Sequence, residues 1–528
     1  MIPPLWCVLH IWSLARCRWP AVFQPDNTIQ LSPDRQPIGF EFHITSGKVD
    51  VFGAGTIEAI LINGNFVGPT LRPCEDDEVE VLVRNYLQQD TTMHFHGIEQ
   101  RTTLWSDGVP GLTQRRIHAG ASYLYRWAAD NAGSFSYHAH SQGQLMDSLY
   151  GTIIVDASPE AERPFKLISR DAAEEQNMLV AESLSQPLLM ADWSHYKFDD
   201  FYCIEMVANY DLACTDAIIV KGMLRHLGED HGYAPPIQAL QGDYDLLPHA
   251  AALTFVNVGG LYPLQVSVNN HELHVFVVDR QYIHTVVTNQ VYVGNRNRVL
   301  VMIKLDQEPA RYKVQIANYL LNQILGDFAE MTYGDAGSAP RHQIPKLNYA
   351  RQPLIDGIRS FKPEQGKPYP ERQPARESDQ TVKVVLRKPG CPQGAYEWSL
   401  SSHKLYNITA EEQDPPILFQ RPRNVLDSKL IVFLESHPVH KHRNKVFFLG
   451  SRNGRFPWTS VALPAGSFNS YLDMFTTLDI AVRYKVENPR AWLLYCHARG
   501  MGIVLMDSAD HFPKVPLEYR KSNGFKLT

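Results

Sequence analysis

The chain has 528 residues, of which 44% are apolar and 20% charged, and these fractions are those of an ordinary folded protein rather than a disordered one. At about 150 residues per domain, this length predicts roughly three domains with large buried cores. The 50 basic and 56 acidic residues give a formal charge of −6, which argues against a phosphate-binding surface. We therefore expect no nucleic-acid partner.

The chain begins with an apolar run from Ile2 to Ala15 that lacks a basic start. We interpret residues 1–21 as a short, imperfect signal peptide, and a ragged folded N-terminus is the alternative. Asn407-Ile408-Thr409 is the single glycosylation triplet. These features predict a glycoprotein that is secreted or lies in the secretory pathway or at the cell surface. No later segment reaches the ~20 apolar residues that a membrane span requires.

Short segments of alternating apolar and polar residues recur along the chain, for example at 79–83, 298–305 and 480–486. Their period of two, bounded by turn residues, is typical of half-buried strands, and helical periodicity is scarce. The pattern therefore predicts an all-β fold built from serial β-sandwich domains.

Composition suggests where these domains end. Residues 340–374 hold seven prolines and little apolar pattern, and a softer break lies at 157–170. The predicted order is a first domain at 25–160, a second at 185–320, a Pro-rich connection at 321–379, a third domain at 380–512 and a tail at 513–528.

Eight of the 21 histidines fall in four tight clusters, two in the first predicted domain and two in the third. The clusters are His94-Phe95-His96-Gly97, His138-Ala139-His140, His437-Pro438-Val439-His440-Lys441-His442 and Cys496-His497. On a strand, residues i and i+2 face the same side, so each H-x-H presents two imidazoles together. A single H-x-H motif would be interpreted as two ordinary surface or core histidines. Four clusters indicate a metal centre.

The metal is indicated by the ligand types. Imidazole suits copper, zinc, iron and nickel, and a thiolate joined by two imidazoles and a weak thioether is the blue-copper arrangement. The seven cysteines are scattered and include no C-x-x-C pair, which excludes zinc ribbons and thioredoxin-like motifs. The Cys-His dipeptide therefore favours copper.

These motifs resemble those of the multicopper oxidases, and most closely of the laccase-like enzymes of filamentous fungi, over nearly the whole chain after residue 40. Besides the histidine clusters, the likeness extends to the segments 61–69, 107–111 and 512–516 and to Tyr137 before His138. The resemblance implies three cupredoxin-like Greek-key domains, a type 1 copper in the third, and a trinuclear copper cluster between the first and third.

The resemblance also implies a role for each motif residue, with up to four copper ions per chain. The implied ligands are His94 and His440 for type 2 copper, His96, His138, His140, His442 and His497 for the type 3 pair, and His437, Cys496 and Met501 for type 1 copper. Asp107 is a candidate catalytic acid that delivers protons near the cluster. A turn aspartate bonded to its own backbone is the alternative.

The chain departs from the family pattern around its Cys-His dipeptide. Tyr495 stands where a type 3 histidine is expected, and no second type 1 histidine follows. Without a gap, Met501 takes that histidine's place and Met506 the axial one. With a gap, Gly500-Met501 is the axial pair and a short segment is missing. A misplaced exon boundary in the coding sequence is a third explanation.

The leading functional hypothesis is a laccase-like oxidase that couples phenols by one-electron oxidation and reduces dioxygen to water, in fungal pigment or secondary-metabolite formation. The expected partners are a small phenolic substrate and dioxygen, and we expect a monomer. The competing hypothesis is a catalytically impaired copper-binding accessory protein of the same fold. Ferroxidase and ascorbate oxidase activities are minor enzyme alternatives.

Overall fold

A computed structural model provides the structure of the chain. The structure describes residues 36–51, 55–141, 143–200, 214–221, 223–224, 236–238, 250–319, 323–332, 345, 357–387, 399–400, 417–420, 425–431, 439–451, 471–472, 474–475, 480–488, 490–496, 502–507, 516 and 519. The predicted signal peptide, the glycosylation triplet and the ligand candidates His437, His497 and Met501 lie outside these residues.

Seven strands between residues 38 and 155 form the first pair of sheets, which we call the first unit. The strands are β1 Ile38–Val51, β2 Gly55–Ile62, β3 Glu78–Asn85, β4 Met93–His96, β5 Ser122–Ala128, β6 Gly133–Ala139 and β7 Tyr150–Val155. One sheet has the order β2-β1-β3-β5 and the other β4-β6-β7. Along β3, the alternating residues Val79, Val81 and Val83 are buried in the core of this unit.

The second unit contains two larger sheets. Its strands are β8 Gln186–Trp193, β9 Ala217–Val220, β10 Met223–Leu224, β11 Pro236–Gln238, β12 Ala250–Asn257, β13 Leu264–Val268, β14 Leu273–Val278, β15 Gln281–Thr288, β16 Gln290–Val293, β17 Arg298–Lys304, β18 Arg311–Asn318, β19 Gly326–Thr332 and β20 Ser360–Phe361. The sheet orders are β10-β9-β8-β12-β17-β14-β15 and β11-β19-β18-β13-β16-β20. Strands β19 and β20 lie within the segment predicted to be a Pro-rich connection. Ala329, Met331 and Phe361 are buried in the core of this unit, which explains why these strands join it.

Helical structure is sparse. The α-helix α1, Ala172–Ser183, begins at Asp171, whose carboxylate accepts hydrogen bonds from the backbone N–H groups of Ala173 and Glu174. In the part of the chain that the structure describes, three short 3-10 helices lie at Leu104–Ser106, Pro164–Leu167 and Pro363–Gln365. Within the described residues, no helix combines the length and apolar character that crossing a membrane requires.

The third unit again contains two sheets. Its strands are β21 Gln380–Arg387, β22 Ser399–Leu400, β23 Ile417–Gln420, β24 Val425–Ile431, β25 Val439–Lys441, β26 Val446–Ser451, β27 Tyr471–Leu472, β28 Met474–Phe475, β29 Ile480–Lys485, β30 Arg490–Cys496 and β31 Gly502–Asp507. The sheet orders are β22-β21-β24-β29-β26-β27 and β23-β31-β30-β25-β28. The all-β class and the serial order of sandwiches are confirmed, while the domain boundaries stay a prediction.

The end of the chain returns to the first unit. Tyr519 is buried there, with its ring 5.2 Å from the ring of Trp105 and 5.7 Å from that of Tyr123, centroid to centroid. Its hydroxyl donates a hydrogen bond of 3.1 Å to the carbonyl oxygen of Leu124. Tyr519 therefore packs beside the segment that carries Asp107.

Candidate metal centre

Four buried histidines of the first unit lie on two paired strands. His94 and His96 lie on β4, and His138, on the antiparallel strand β6, is directly opposite His94. His140 follows the end of β6. The ring centroids of His138 and His140 lie 5.3 and 5.6 Å from that of His94. The alternation of side chains along the strands therefore gathers four imidazoles on one side.

Two histidines of the third unit face these four. His440 and His442 are buried at the end of β25 and directly after it. The ring centroid of His440 lies 4.1 Å from that of His96, and the ring centroid of His442 lies 4.2 Å from that of His94. Six of the histidines singled out in the sequence thus meet at the contact between the first and third units.

The donor atoms are grouped closely enough to share metal ions. The ligand nitrogens of His94, His96 and His440 all lie within 4.8 Å of one another, and so do the ligand atoms of His94, Asp107 and His442. Within the described residues, Nε2 of His94, Nε2 of His442 and both ring nitrogens of His140 are buried without a hydrogen-bond partner. Since buried polar atoms are normally satisfied, this arrangement fits bound metal.

Hydrogen bonds fix the orientation of three of the rings. Nδ1 of His94 donates to the carbonyl oxygen of Asp107 at 2.7 Å, and Nδ1 of His138 donates to that of Ala139 at 2.9 Å. Nδ1 of His442 lies 3.0 Å from Oδ2 of Asp107. Each bond occupies Nδ1 and leaves the lone pair of Nε2 for a metal ion, as is usual for ligating histidines.

Burial also keeps the imidazoles of His138, His140 and His442 neutral. It lowers the pKa of His140 to about 3, and burial is likewise the main reason that the pKa values of His138 and His442 lie well below their usual range. A protonated imidazole has no lone pair for a metal ion, so the neutral state is the one that binds. The chemistry of the six histidines thus suits copper, which imidazole binds well.

Asp107 lies fully buried between the first and third units. Burial alone would raise its pKa, but the Arg443 guanidinium and the hydrogen bonds from His442 and His94 outweigh this effect and hold the pKa of Asp107 well below its usual range. Nε of Arg443 donates to Oδ1 of Asp107 at 3.1 Å. The ionised carboxylate therefore accepts hydrogen bonds across the contact between the units. The acid role predicted for it stays a prediction.

One further side chain lies at the cluster, and a second, which no sequence motif indicated, interacts with it electrostatically. Tyr495 on β30 lies opposite His440, and its ring centroid is 4.9 Å from that of His140. Arg296, from the turn before β17, is fully buried and interacts electrostatically with His138. No sequence pattern points to Arg296, because an arginine in a polar turn is usually exposed.

Most of the residues predicted to bind type 1 copper lie outside the described residues. Cys496 is buried at the end of β30, opposite Val439 of β25. Strands β30 and β31 form an antiparallel pair in which Tyr495, the residue before Cys496, is opposite Gly502. His437, His497 and Met501 fall outside the described residues, and their ligand roles stay predictions.

Comparison with known proteins identifies the family. Residues 43–160 match the multicopper oxidase family model. The chain is 40% identical to the multicopper oxidase CTB12 of Cercospora beticola, with 98% of each chain covered, and 40% identical to the multicopper oxidase elcG of Phaeosphaeria nodorum, with 97% of each covered. It is 31% identical to the laccase abr2 of Aspergillus fumigatus, covering 87% of this chain and 92% of that protein.

The alignment with the Cercospora beticola protein has 623 positions, which is more than the 528 residues of this chain. It therefore places gaps in this chain opposite residues of that relative.

Solved structures share the fold. The structure of Fet3p, a multicopper oxidase that functions in iron import, superposes with a TM-score of 0.72 at 19% identity, covering 92% of this chain and 95% of that one. The laccase of Botrytis aclada superposes with a TM-score of 0.72 at 18% identity, covering 93% and 92%. The chain therefore belongs to the multicopper oxidase family and is a copper-dependent oxidoreductase.

Proposed function

We propose that the protein is a laccase-like oxidase that removes single electrons from phenolic, polyketide-derived aromatics and reduces dioxygen to water. The observation that carries this proposal is the convergence of six buried imidazoles from the first and third units. Neither unit holds the six alone, and the same pattern is what the family motifs place at a trinuclear copper cluster. We propose further that the phenoxyl radicals couple to give pigments or other secondary metabolites.

The proposed ligand roles follow the family motifs. They are His94 and His440 for type 2 copper, His96, His138, His140 and His442 with His497 for the type 3 pair, and His437 and Cys496 with axial Met501 for type 1 copper. When bound, copper supplies the one-electron redox chemistry and the binding of dioxygen. The proposed domains are those predicted from composition, with the second spacing the first and third.

The residues of the chain contribute orientation and exclusion of water. The bonds from Nδ1 of His94 and His138 aim Nε2 toward the site, and Asp107 holds His442 from the opposite unit. All six imidazoles are buried, which removes bulk water from around the donor atoms. We propose that Asp107, kept ionised by Arg443, is the proton-handling group nearest to the cluster.

The proposal about substrate rests on relatives. The proteins from Aspergillus fumigatus and Emericella nidulans are both named laccases, at 31% and 27% identity. We also propose that the protein is secreted or passes through the secretory pathway. The apolar start of the chain and the glycosylation triplet support this localisation.

A catalytically impaired copper-binding protein of the same fold is the second candidate. The observation that favours it is Tyr495, which lies at the cluster where the family motif has a histidine. A protein of this kind would bind copper but oxidise phenols slowly.

The two candidates are separated by copper analysis, an absorption spectrum and dioxygen uptake with a simple methoxyphenol. An oxidase binds four copper ions, has an intense blue thiolate band and consumes dioxygen in proportion to the phenol oxidised. The accessory candidate retains copper without such uptake. A protein that binds no copper contradicts both.

Replacement of His94 tests the proposed cluster directly. His94→Ala should remove the paramagnetic signal of type 2 copper, because His94 supplies one of its two proposed imidazoles. The matched control is His118→Ala, which removes an exposed histidine of the same unit that pairs with Asp90. An unchanged type 2 signal in His94→Ala would show that the ligand assignment is wrong.

A further inference from the structure

A phenol lies in the wall of the histidine cluster. Tyr495 is 3% exposed and pairs across the sheet with His440. Its ring centroid lies 4.9 Å from that of His140, 5.2 Å from that of His442 and 6.2 Å from that of His440. The phenol therefore adjoins imidazoles of both the first and the third units.

The surroundings of Tyr495 hold its ring in this place. The side chains of Val109, Leu493 and Val504 form an apolar cluster with it, and all three are fully or almost fully buried. The backbone N–H of His442 donates to the carbonyl oxygen of Leu493 at 2.9 Å, which ties β30 to the strand end that carries the histidines. Packing and register together leave the ring directed along the cluster wall rather than toward solvent.

An unusual arginine from the second unit accompanies the phenol. Arg296 is 0% exposed, and within the described residues its Nε, Nη1 and Nη2 have no hydrogen-bond partner. Its backbone is held at φ +66° by a bond from its N–H to the carbonyl of Asn257 at 2.8 Å and a bond from Nη1 of Arg298 to its own carbonyl at 2.7 Å. The Arg296 side chain therefore lies in the interior.

The electrostatics connect Arg296 to Tyr495 and to the cluster. Burial lowers the pKa of Arg296 to about 10, and the interaction with Tyr495 is the largest of those that oppose this shift. Arg296 in turn acts on His138. Burial of a guanidinium whose nitrogens make no hydrogen bond is costly, so a further negative charge nearby would stabilise it. A neutral imidazole at position 495 would provide no such charge.

We propose that Tyr495 supplies a phenol oxygen ligand to the copper cluster, in the place where the family motif has an imidazole, and that Arg296 is its positioning residue from the second unit. This inference rests on the proposed copper cluster. If Tyr495 ligates copper, its phenol proton would be released to solvent, as for other acidic ligands, and its oxygen would carry negative charge. Arg296 would then interact with two acidic groups, Tyr495 and Asp192, instead of Asp192 alone.

The test is resonance Raman and absorption spectroscopy of the copper-loaded protein, with copper content measured on the same sample. The wild-type protein should show tyrosinate ring modes enhanced in a phenolate-to-copper charge-transfer band. Tyr495→Phe should lose both signals. Tyr495→His should retain copper and also lose both signals, which keeps the test valid if the phenylalanine variant folds poorly.

The matched control is Tyr484→Phe, which removes another buried tyrosine hydroxyl of the third unit, one that lies over Lys441 rather than at the cluster. It should leave the tyrosinate signals intact. A copper-loaded wild-type protein without tyrosinate modes, or modes that persist in Tyr495→Phe, would overturn this inference alone. A wild-type protein that binds no copper would instead overturn the proposed function.

Arg296 is tested by Arg296→Asn, since asparagine tolerates the left-handed backbone at this position. We expect copper affinity, measured by chelator competition, to fall about 10–100-fold, as for other groups that hold metal ligands in place, and the charge-transfer band to shift. Arg296→Lys restores a positive charge and should recover most of the affinity. Unchanged affinity and an unshifted band in Arg296→Asn would contradict the positioning role.

Discussion

Strands β4 and β25 carry the two histidine pairs that face each other. Both strands present imidazoles to the metal centre, but the residues on their opposite faces differ. On β4, Phe95 lies between the two histidines and points away from them into an aromatic core, with its ring 5.3 Å from that of Tyr125 and 5.6 Å from that of Trp127. On β25 and just after it, the residue between the two histidines is Lys441, and it is also buried.

Lys441 has an ionic environment where Phe95 has an apolar one. Its Nζ lies 3.1 Å from Oδ2 of Asp507 and 4.5 Å from the ring centroid of Tyr484. Both members of this ion pair are almost fully buried. The difference shows that the period of two fixes which side chains face the metal, whereas the support behind them can be an apolar core or a buried ion pair.

The largest effect is expected from removing the apolar support. Phe95→Ala leaves a cavity behind β4 and should lower the free energy of unfolding by about 3–5 kcal/mol. Urea-induced unfolding of the copper-free protein measures it. Phe447→Ala is the control for loss of an aromatic side chain. Phe447 lies on β26, in the sheet of the third unit that does not contain β25, and its replacement should leave copper affinity unchanged. A Phe95→Ala protein as stable as wild type would show that the aromatic core does not support β4.

Disruption of the Lys441–Asp507 ion pair should have a different effect on stability. Asp507→Ala leaves the charge of Lys441 buried without its partner and should cost on the order of 3 kcal/mol. Replacing both residues, as Lys441→Met with Asp507→Leu, should restore stability close to that of wild type, because two apolar side chains need no hydration. The same urea experiment measures both variants. If the double variant is no more stable than Asp507→Ala, the ion pair contributes more to stability than the neutralisation of one buried charge by the other.

Asp107 connects the two histidine-bearing strands, so its replacement tests whether they act together. Asp107→Asn keeps the size of the side chain but removes the charge that holds His442 and Arg443. Copper affinity should fall about 10–100-fold, measured by chelator competition. Asp156→Asn is the control, because this carboxyl of the same unit pairs with Arg72 instead. Equal affinities for the two variants would contradict the connecting role.

The smallest expected effect is on the stability of the copper-free protein at acidic pH. The pKa of His140 is about 3 in the folded protein, against about 6.5 in an unfolded chain, so the unfolded state binds more protons between these values. Stability is therefore complete above pH 6.5 and falls by about 1 kcal/mol per pH unit below it for each such histidine. Thermal unfolding between pH 7 and 5 measures the slope, and His140→Gln should make it shallower. A slope that His140→Gln leaves unchanged would contradict the assignment to this residue.

Much of the site could be predicted from short patterns. The alternation in His94-Phe95-His96 and in His440-Lys441-His442 predicted that each pair shares a face, and the structure brings both pairs together. The meeting itself was implied only by the family resemblance, because nothing in local spacing joins strands of the first and third units.

Other features could not be predicted, for physical reasons. Lys441 occupies an inward position where an apolar residue is expected, and the sequence does not reveal that Asp507 lies beside it. Arg296 is a single arginine in a turn, and its approach to Tyr495 depends on how the second unit packs against the others. Local rules tend to fail at such functional positions, where charge is buried for a purpose.

The position of Tyr519 bears on how the protein is made. This residue near the end of the chain packs in the first unit, and the histidines of the third unit also follow those of the first by most of the chain. During synthesis the first unit leaves the ribosome with only four of the six imidazoles that meet at the cluster. Copper insertion is therefore expected to be a late event, after release of the whole polypeptide, and delivery of the metal should limit how much active protein a cell accumulates.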